Sequence, residues 1–285
     1  MVMSKLTTKK GFGGRKSIMY KLIALDIDDT LLSLNLQLSN VNRDAIRKAS
    51  EAGVFVTLAT GRIYGAMKDV CAQIGLNDMP VITLGGAKIQ QYPSSEVLYE
   101  RTMNESLVME CIAFAQKQNV CIECYQDDTF YYQKPCSEIR FHETRIGYQG
   151  IQRDFMSLKF NNTTNCVMIA EPFVIDKLIP LARATFGDKL QVMRSYSRIM
   201  EFYPPDTNKG TALAWLAEGL GVRQEEVLAM GDSSLDIPML EYAGMGVAVS
   251  NAEQDLINIA NYVAPHADSN AVAHVINKYV LGEKR

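Results

Sequence analysis

Short aliphatic runs that end in polar residues recur along the first ninety residues. Leu22–Leu25, Val54–Ala59 and Pro80–Leu84 each have the length and composition of a buried strand. Between them, apolar positions at helical spacing predict a helix over about 40–52 and another that ends near Ile74. Strands that alternate with amphipathic helices predict a parallel sheet with right-handed crossovers.

The pattern changes between about Lys88 and Pro204. Strand-like segments there carry polar and aromatic residues, as in Thr129–Gln133, and they alternate with helical segments over 106–118 and 172–186. This is typical of an α+β unit with an antiparallel sheet. From Lys209 the parallel pattern resumes. It predicts helices over 209–219, 236–242, 253–259 and about 270–280, and strands over 227–230, 246–249 and 262–263.

The predicted fold class is therefore α/β. A doubly wound, Rossmann-like parallel-sheet core is built from residues 19–87 and 205–285, and an inserted α+β domain over 88–204 interrupts it. Residues 1–18 precede the first strand, and residues 1–17 carry five basic side chains and no acidic one. Because this segment has too few apolar residues to build a core, we expect a disordered leader or a cloning remnant.

Composition limits the classes of function that the chain can have. The 285 residues are 47% hydrophobic and carry a net charge of −3, which fits a globular protein without the basic field that nucleic-acid binding needs. No signal peptide and no run of 18 apolar residues occurs, so we expect no membrane span and a cytoplasmic location. Nothing indicates an obligate protein partner. The six cysteines are predicted to be reduced, and Cys121 and Cys124 should point to opposite faces of one strand.

Three acidic residues follow the first strand within four positions: Asp26, Asp28 and Asp29. Carboxylates at the end of a buried strand repel one another and lose hydration, so they persist where something positive lies nearby. Mg²⁺ is a suitable partner, because it prefers oxygen ligands. An ordinary acidic turn is the alternative.

Further polar residues follow the other core strands. Thr60 ends the second strand, Asp232 and Asp236 follow a later one, and Lys209 opens the helix before it. Since the carboxyl ends of parallel strands lie at one edge of the sheet, we expect these side chains to converge with Asp26. Carboxylates, a hydroxyl and an ammonium group suit a phosphoryl group with a divalent cation.

The motifs occur in the order Asp26-x-Asp-x-Thr30, Thr60-Gly-Arg62, Lys209 and Gly231-Asp-x-x-x-Asp236. This order resembles the haloacid dehalogenase (HAD) superfamily, from about Tyr20 to the end of the chain. Three of the motifs are most similar to those of the Cof-type phosphatases. They are Ala59-Thr-Gly-Arg, Asn208-Lys-Gly and Gly231-Asp-Ser-x-x-Asp-Ile-x-Met. Those proteins carry a large α+β cap domain where the insertion falls here.

The resemblance implies a role for each matching residue. Asp26 would be the nucleophile that forms an aspartyl-phosphate, and Asp28 the general acid and base. Lys209 would neutralise the charge that builds up at the nucleophile. Phosphate oxygens would be bound by Thr60 and Gly61, with Thr30 as an orienting hydroxyl, while Arg62 would either contact substrate or only pack. Mg²⁺ would be held by Asp26, Asp28 through its carbonyl, and Asp232, with Asp236 supporting these ligands from behind.

Three positions depart from the family pattern. Position 29 is Asp where Gly is frequent, and the motif tolerates this. Leu235 replaces an asparagine that helps to hold phosphate in relatives, a loss of about 1–3 kcal/mol if its partner is charged. Gly85 replaces the asparagine of an Asn-Gly-Ala turn. Leu235 and Gly85 would lower activity if the hydrogen bonds of the asparagines that they replace were needed.

The predicted activity is Mg²⁺-dependent hydrolysis of small phosphomonoesters, such as sugar phosphates or related metabolites. One alternative is a phosphomutase or phosphotransferase that uses the same nucleophile. Another is a weakly active regulatory protein that binds phosphate, for which Leu235 and Gly85 are the support. The sequence does not identify the substrate or the oligomeric state.

Overall fold

The computed structural model describes residues 20–33 and 35–282, so the predicted leader over 1–18 lies outside the described residues. The strands, in chain order, are β1 (Leu22–Leu25), β2 (Phe55–Ala59), β3 (Met79–Thr83), β4 (Lys88–Tyr92), β5 (Val97–Glu100), β6 (Cys121–Gln126), β7 (Thr129–Tyr132), β8 (Ile151–Gln152), β9 (Asn165–Ile169), β10 (Gln191–Tyr196), β11 (Ile199–Tyr203), β12 (Val227–Gly231), β13 (Met245–Val249) and β14 (Tyr262–Ala264).

The α-helices lie between these strands. They are α1 (Asn40–Glu51), α2 (Lys68–Ile74), α3 (Glu105–Gln118), α4 (Ser137–Ile146), α5 (Pro172–Phe186), α6 (Lys209–Leu220), α7 (Ile237–Tyr242), α8 (Gln254–Ile259) and α9 (Ala271–Val275). The chain divides into two compact units. Among the described residues, one comprises 20–33, 35–60, 68–99 and 208–282, and the other comprises 61–67 and 100–207.

The first unit contains an eight-stranded sheet in the order β14-β13-β12-β1-β2-β3-β4-β5. The strands from β14 to β3 pair in parallel. From β1 the chain moves outward through β2 and β3, and it later returns to β12 and moves outward in the other direction. This is the doubly wound order of a Rossmann-like sheet, so the predicted fold class is confirmed.

Helices cover both faces of this sheet. Leu22 and Ala24 of β1 pack with Leu213 and Leu216 of α6 on one face, while α1 packs with α2 and α9. All four residues of β1 are fully buried, which explains the uninterrupted apolar run at this point of the sequence.

Strands β4 and β5 continue the first sheet beyond the boundary predicted at residue 88. β4 pairs with β3 in antiparallel orientation, with Ile82 opposite Ile89. The hairpin carries polar residues because it forms one edge of the sheet, and this edge composition resembles that of the inserted domain. The second unit accordingly takes up the chain at residue 100.

The second unit is an α+β structure with a six-stranded sheet in the order β10-β11-β9-β6-β7-β8. The pairs from β10 to β7 are antiparallel, as predicted, and β7 pairs with β8 in parallel. Helices α3 and α5 bury Ile112, Phe114 and Phe186 against one face. Helix α4 packs against β6 and β9.

The cysteines of this unit differ from the prediction. Cys121 and Cys136 are joined in a disulfide, although the sequence predicted reduced thiols. The prediction rested on chain length and on the lack of a signal peptide, which say nothing about a pair brought together by folding. The partner of Cys121 lies 15 residues further along the chain. Cys124 points away from Cys121, as predicted, and its Sγ lies 3.7 Å from Cys166 Sγ.

Among the described residues, no helix combines the length and the hydrophobicity needed to cross a lipid bilayer.

Candidate active site

The ends of β1 and β12 bring Asp26 and Asp232 together. The two strands are parallel neighbours, with Leu25 opposite Met230, and the Asp26 amide donates to the Met230 carbonyl at 3.0 Å. The chain winds away from this pair of strands in opposite directions, so their carboxyl ends flank the crevice where open α/β sheets bind ligands. The predicted convergence of residues more than 200 positions apart is present.

Lys209 links two of the acids. Its Nζ donates to Asp26 Oδ1 and to Asp236 Oδ1, both at 2.6 Å. Lys209 is the first residue of α6, which begins with a capping box in which Asn208 accepts from the Thr211 amide at 2.9 Å and Thr211 accepts from the Asn208 amide. The cap fixes the start of the helix and therefore the origin of the lysine side chain.

Asp236 is fully buried and holds the turn after β12. Its Oδ2 accepts from the Asp232 amide, the Ser233 amide and the Ser233 hydroxyl, each at 3.1 Å. Gly231 makes room for this carboxylate, because a Cβ at position 231 would lie 2.5 Å from Asp236 Cγ. Protein donors thus engage both oxygens of Asp236, and its predicted role behind the metal ligands stays a prediction.

Asp232 is oriented from two sides. Thr30 is buried and donates from Oγ1 to Asp232 Oδ1 at 3.1 Å, while the Glu253 amide donates to the Asp232 carbonyl at 2.7 Å. Glu253 in turn accepts from the Ser234 amide at 2.9 Å. The structure therefore places the Thr30 hydroxyl on a carboxylate, and the role predicted for Thr30 at the phosphate stays a prediction.

A divalent cation fits the donor set at these strand ends. Carboxylate oxygens of Asp26, Asp232 and Asp236 all lie within 4.8 Å of one another. Three carboxylates face a single ammonium group, so two negative charges are uncompensated when all three acids are ionised. Hard oxygen donors with surplus negative charge are the ligands that Mg²⁺ prefers.

The same crowding shifts the pKa values. Burial, with the charges of Asp236, Asp232 and Asp28, raises the pKa of Asp26 well above its usual range, although Lys209 opposes the shift. Burial and Asp236 raise the pKa of Asp232 to about 7. Burial alone would lower the pKa of Lys209, but Asp236 and Asp26 outweigh it and hold that pKa above its ordinary value. Lys209 is therefore a permanent cation, and the acids require further positive charge to ionise together.

Asp28 and Asp29 lie in the turn over Ile27–Leu31. Asp29 has φ of 59°, a left-handed conformation that Asp adopts more readily than most residues, which explains why it can replace glycine here. The Asn251 side chain donates to the Asp29 carbonyl at 2.8 Å and accepts from the Ala267 amide at 2.9 Å. These bonds fix the turn that carries the predicted acid and base.

Thr60 is buried at the end of β2, and its carbonyl accepts from the Gly85 amide at 3.0 Å. The next residue, Gly86, has φ of 103°, and a Cβ at this position would lie 2.2 Å from the Asn208 carbonyl oxygen. The turn after β3 therefore packs directly on the start of α6. Gly85 replaces the expected asparagine in this turn without breaking its backbone contact.

Gly61 and Arg62 belong to the segment 61–67, which clusters with the second unit. Their predicted contact with phosphate stays a prediction. Leu235 is half-buried in the short turn Ser234–Asp236.

The sequence interpretation missed three residues of the site: Ser233, Asn251 and Glu253. Asn251 follows the end of β13, so the rule that identified Thr60 could have found it. Ser233 lies inside the motif that contains Asp232. Glu253 lies near the start of a predicted helix and carried no signal of its own, since its contact with residue 234 depends on tertiary packing.

The fold places the chain in the Rossmann-like α/β class. The sequence profile of the haloacid dehalogenase-like hydrolases matches residues 23–276. The chain therefore belongs to the haloacid dehalogenase-like hydrolase family, and the resemblance carried by its motifs is confirmed.

Known relatives match the chain over nearly their whole length and support this assignment. The chain is 30% identical over 290 residues to 5-amino-6-(5-phospho-D-ribitylamino)uracil phosphatase YwtE of Bacillus subtilis, covering 92% of this chain and 99% of that protein. It is 27% identical to phosphatase YwpJ of the same organism, covering 92% and 100%. A haloacid dehalogenase-like hydrolase from Bacteroides thetaiotaomicron has a similar structure, with a TM-score of 0.84, 25% identity and coverage of 91% and 99%.

Proposed function

We propose that this protein is a Mg²⁺-dependent phosphatase of small phosphomonoesters, such as sugar phosphates or related metabolites, in the cytoplasm. The observation that carries the proposal is the ion-paired group of Asp26, Lys209 and Asp236 beside Asp232, with its surplus of negative charge. Relatives named as phosphatases support the reaction class. Only one of the two is named for a substrate, so we propose only the chemical class.

Asp26 has the surroundings that a carboxylate nucleophile needs. Lys209 Nζ lies 2.6 Å from its Oδ1, so the ammonium offsets part of the repulsion that a carboxylate would feel from a phosphoryl group. The other oxygen of Asp26 would attack phosphorus while the bond from phosphorus to the ester oxygen breaks. The product is an aspartyl-phosphate and an alcohol.

Asp28 would move the protons. It follows Asp26 by two residues, in the turn that Asn251 fixes, and its charge already acts on Asp26. In its protonated form it would donate to the leaving alkoxide. As a carboxylate it would then take a proton from the water that attacks the aspartyl-phosphate, and phosphate would leave as the bond from phosphorus to Asp26 breaks.

Mg²⁺ would be held by Asp26, Asp232 and the backbone carbonyl of Asp28, and when bound it supplies positive charge that screens the phosphoryl oxygens. Thr30 and Asp236 would keep the Asp232 carboxylate and backbone in place through their hydrogen bonds. Thr60, Gly61 and Arg62 would bind the phosphate oxygens. Arg62 is thereby proposed as a substrate contact rather than a packing residue.

The test is phosphate release from p-nitrophenyl phosphate and a panel of sugar phosphates, with Mg²⁺ and with excess chelator. Asp26→Asn should reduce turnover by at least ~10³–10⁴-fold, because a neutral amide cannot act as the nucleophile. Asp29→Asn is the matched control. It changes an acid three residues from Asp26, at a left-handed position that asparagine also tolerates, and it should keep most activity.

Equal activity of Asp26→Asn and the parent protein would contradict the proposal. Isomerised sugar phosphate without free phosphate would identify a phosphomutase instead. Binding of beryllium fluoride with no turnover on any substrate would identify a regulatory protein.

A further inference from the structure

Two of the six cysteines differ from the rest in their surroundings. Cys71, Cys111, Cys124 and Cys166 are fully buried free thiols. Burial raises the pKa of Cys71 to about 12, and burial also raises the pKa of Cys166. These thiols are therefore poor nucleophiles. Cys121 and Cys136 are half-buried and face each other in the second unit.

Cys136 occupies a position that activates a thiol. It is the N-cap of the ten-residue helix α4, and its Sγ accepts from the Ile139 amide at 3.5 Å. The unpaired amides and the dipole at a helix N-terminus stabilise the thiolate form of a cysteine there. Cys136 is thus suited to exist as a thiolate when the disulfide is open.

A Glu138 carboxylate oxygen lies within 4.8 Å of both sulfurs, but Cys121 has no helix N-terminus to offset its charge. Its Sγ lies 3.8 Å from Glu138 Oε2, a carboxylate oxygen that also accepts from the Ser137 hydroxyl at 2.8 Å. A negative charge beside Cys121 disfavours a second negative charge on its sulfur. The two cysteines are therefore unequal, with Cys136 as the attacking thiol and Cys121 as the resolving one.

We propose that Cys136 and Cys121 form a reversible thiol–disulfide site that reacts with low-molecular-weight disulfides such as glutathione disulfide. The Cys136 thiolate attacks one sulfur of the small disulfide, forms a mixed disulfide and releases one thiolate. The Cys121 sulfur, after losing its proton to solvent, attacks Cys136 Sγ and releases the second thiolate. Two electrons and two protons leave the protein, and the small disulfide becomes two thiols.

The closed form links the start of β6 to the start of α4 across the β7 hairpin. The bridge spans 15 residues, and α4 also carries His142, which packs on Glu123 of β6. Oxidation therefore ties α4 to the sheet at two points instead of one. No residue of this site is shared with Asp26, Lys209 or Asp232, so the inference is independent of the proposed function.

The first test uses the wild-type protein, reduced and freed of reductant under anaerobic conditions. Pulse alkylation should modify Cys136 on the order of 100-fold faster than the four buried thiols, and about tenfold faster than Cys121. After stoichiometric glutathione disulfide, both sites should resist alkylation. Equal rates for all six cysteines, or Zn²⁺ found bound to the isolated protein at this pair, would overturn the proposal.

The bridge is then mapped by proteolysis and mass spectrometry. Trypsin leaves Cys121, Cys124 and Cys136 in one peptide, residues 118–140, because Lys134 precedes Pro135. Glu-C in phosphate buffer, which cuts after Glu123, Asp127, Asp128 and Glu138, separates the three. We expect the fragments with Cys121 and Cys136 to remain joined until reduction. A link that involves Cys124 would overturn the assignment.

Two matched variants separate the roles of the sulfurs. Cys121→Ser should accumulate a stable mixed disulfide with glutathione at Cys136, since the resolving thiol is gone. Cys136→Ser should react with glutathione disulfide about tenfold more slowly than Cys121→Ser. The opposite order would overturn the assignment of Cys136 as the attacking thiol. Circular dichroism checks that both variants fold, and the wild-type alkylation result stands without them.

Discussion

The two units each bury a charged cluster, and the clusters differ in their balance of charge. In the first unit, Lys209 contacts Asp26 and Asp236 at 2.6 Å, and Asp232 lies beside them. In the second, Glu123 of β6 accepts from His142 Nδ1 at 2.8 Å and from the Tyr125 hydroxyl at 3.2 Å. The first cluster has three acids to one base. In the second, the Glu123–His142 pair has one of each, and the charge of the buried Glu201 also acts on His142.

This difference separates a binding site from a structural pair. Glu123 and His142 lie between the sheet and α4, with relative exposures of 0% and 6%. They pair through Glu123 Oε2, while the buried Glu123 Oε1 has no hydrogen-bond partner. The cluster at the ends of β1 and β12 leaves negative charge unmatched, which costs stability unless a cation arrives. Surplus charge at strand ends therefore points to a ligand, whereas balanced charge inside a unit does not.

Loss of the single base from the unbalanced cluster should have the largest effect on stability. Lys209→Met leaves Asp26 and Asp236 buried without their partner, which should cost about 3–5 kcal/mol of unfolding free energy. Urea unfolding at neutral pH measures it. Lys21→Met is the matched control, because the Lys21–Glu226 ion pair is partly exposed on its lysine side and should contribute about 0–1 kcal/mol.

The comparison fails if the two methionine variants lose the same stability. That result would mean that Asp26 and Asp236 become protonated with little loss of unfolding free energy. The lysine would then be dispensable for the fold.

Added Mg²⁺ should stabilise the unbalanced cluster and leave the balanced one unaffected. At a concentration 100 times its dissociation constant, a cation that binds only the folded state adds about 2.7 kcal/mol to the unfolding free energy. Thermal unfolding with Mg²⁺ and with chelator measures this gain. Asp232→Asn should lose the gain and Glu123→Gln should keep it. A gain that Asp232→Asn retains would place the cation elsewhere.

The sequence predicted the first cluster because each member follows a regular signal. Asp26 and Asp232 come directly after apolar strands, and parallel strands place such positions at one edge. Lys209 opens a helix behind a strong N-cap. The predicted bounds of α1 and α6 also lie within a residue or so of the observed ones, since Ser39 and Asn208 are strong N-cap residues.

The second cluster could not be predicted in the same way. Glu123 and His142 lie 19 residues apart, on a strand and on a helix that crosses it, and no motif links them. A histidine with no motif around it gives no sequence signal for a buried ion pair. The hairpin of β4 and β5 was assigned to the inserted domain for a related reason, because composition does not distinguish an edge hairpin from a new antiparallel sheet.

Removal of the charge from the balanced pair should have a moderate effect. Glu123→Gln keeps the shape and an acceptor for Tyr125, but it replaces a charge-assisted hydrogen bond with a neutral one, and it should cost about 1–2 kcal/mol. Urea unfolding at pH 6 measures the loss. Phosphatase activity should change less than twofold if the pair is structural. A large loss of activity with unchanged stability would assign Glu123 to substrate binding instead.

The pH dependence of stability should distinguish this pair by its sign. Burial raises the pKa of Glu123. Burial alone would lower the pKa of His142, but the bond and charge of Glu123 outweigh it, so the His142 pKa lies above 6.5. Because both pKa values are higher in the folded state, the folded protein binds more protons, and its unfolding free energy falls as pH rises.

The contribution of His142 is complete below pH 6.5 and is lost as pH rises through its raised pKa. The slope that it adds cannot exceed about 1.4 kcal/mol per pH unit, the value for one proton. Urea unfolding between pH 6 and pH 8.5 measures it, with Mg²⁺ present so that the acids of the active site stay ionised. His142→Gln should flatten the profile in this window. An unfolding free energy that rises with pH in the parent and in the variant alike would show that Glu123 and His142 do not share a proton, and the contrast between the two clusters would then rest on the active site alone.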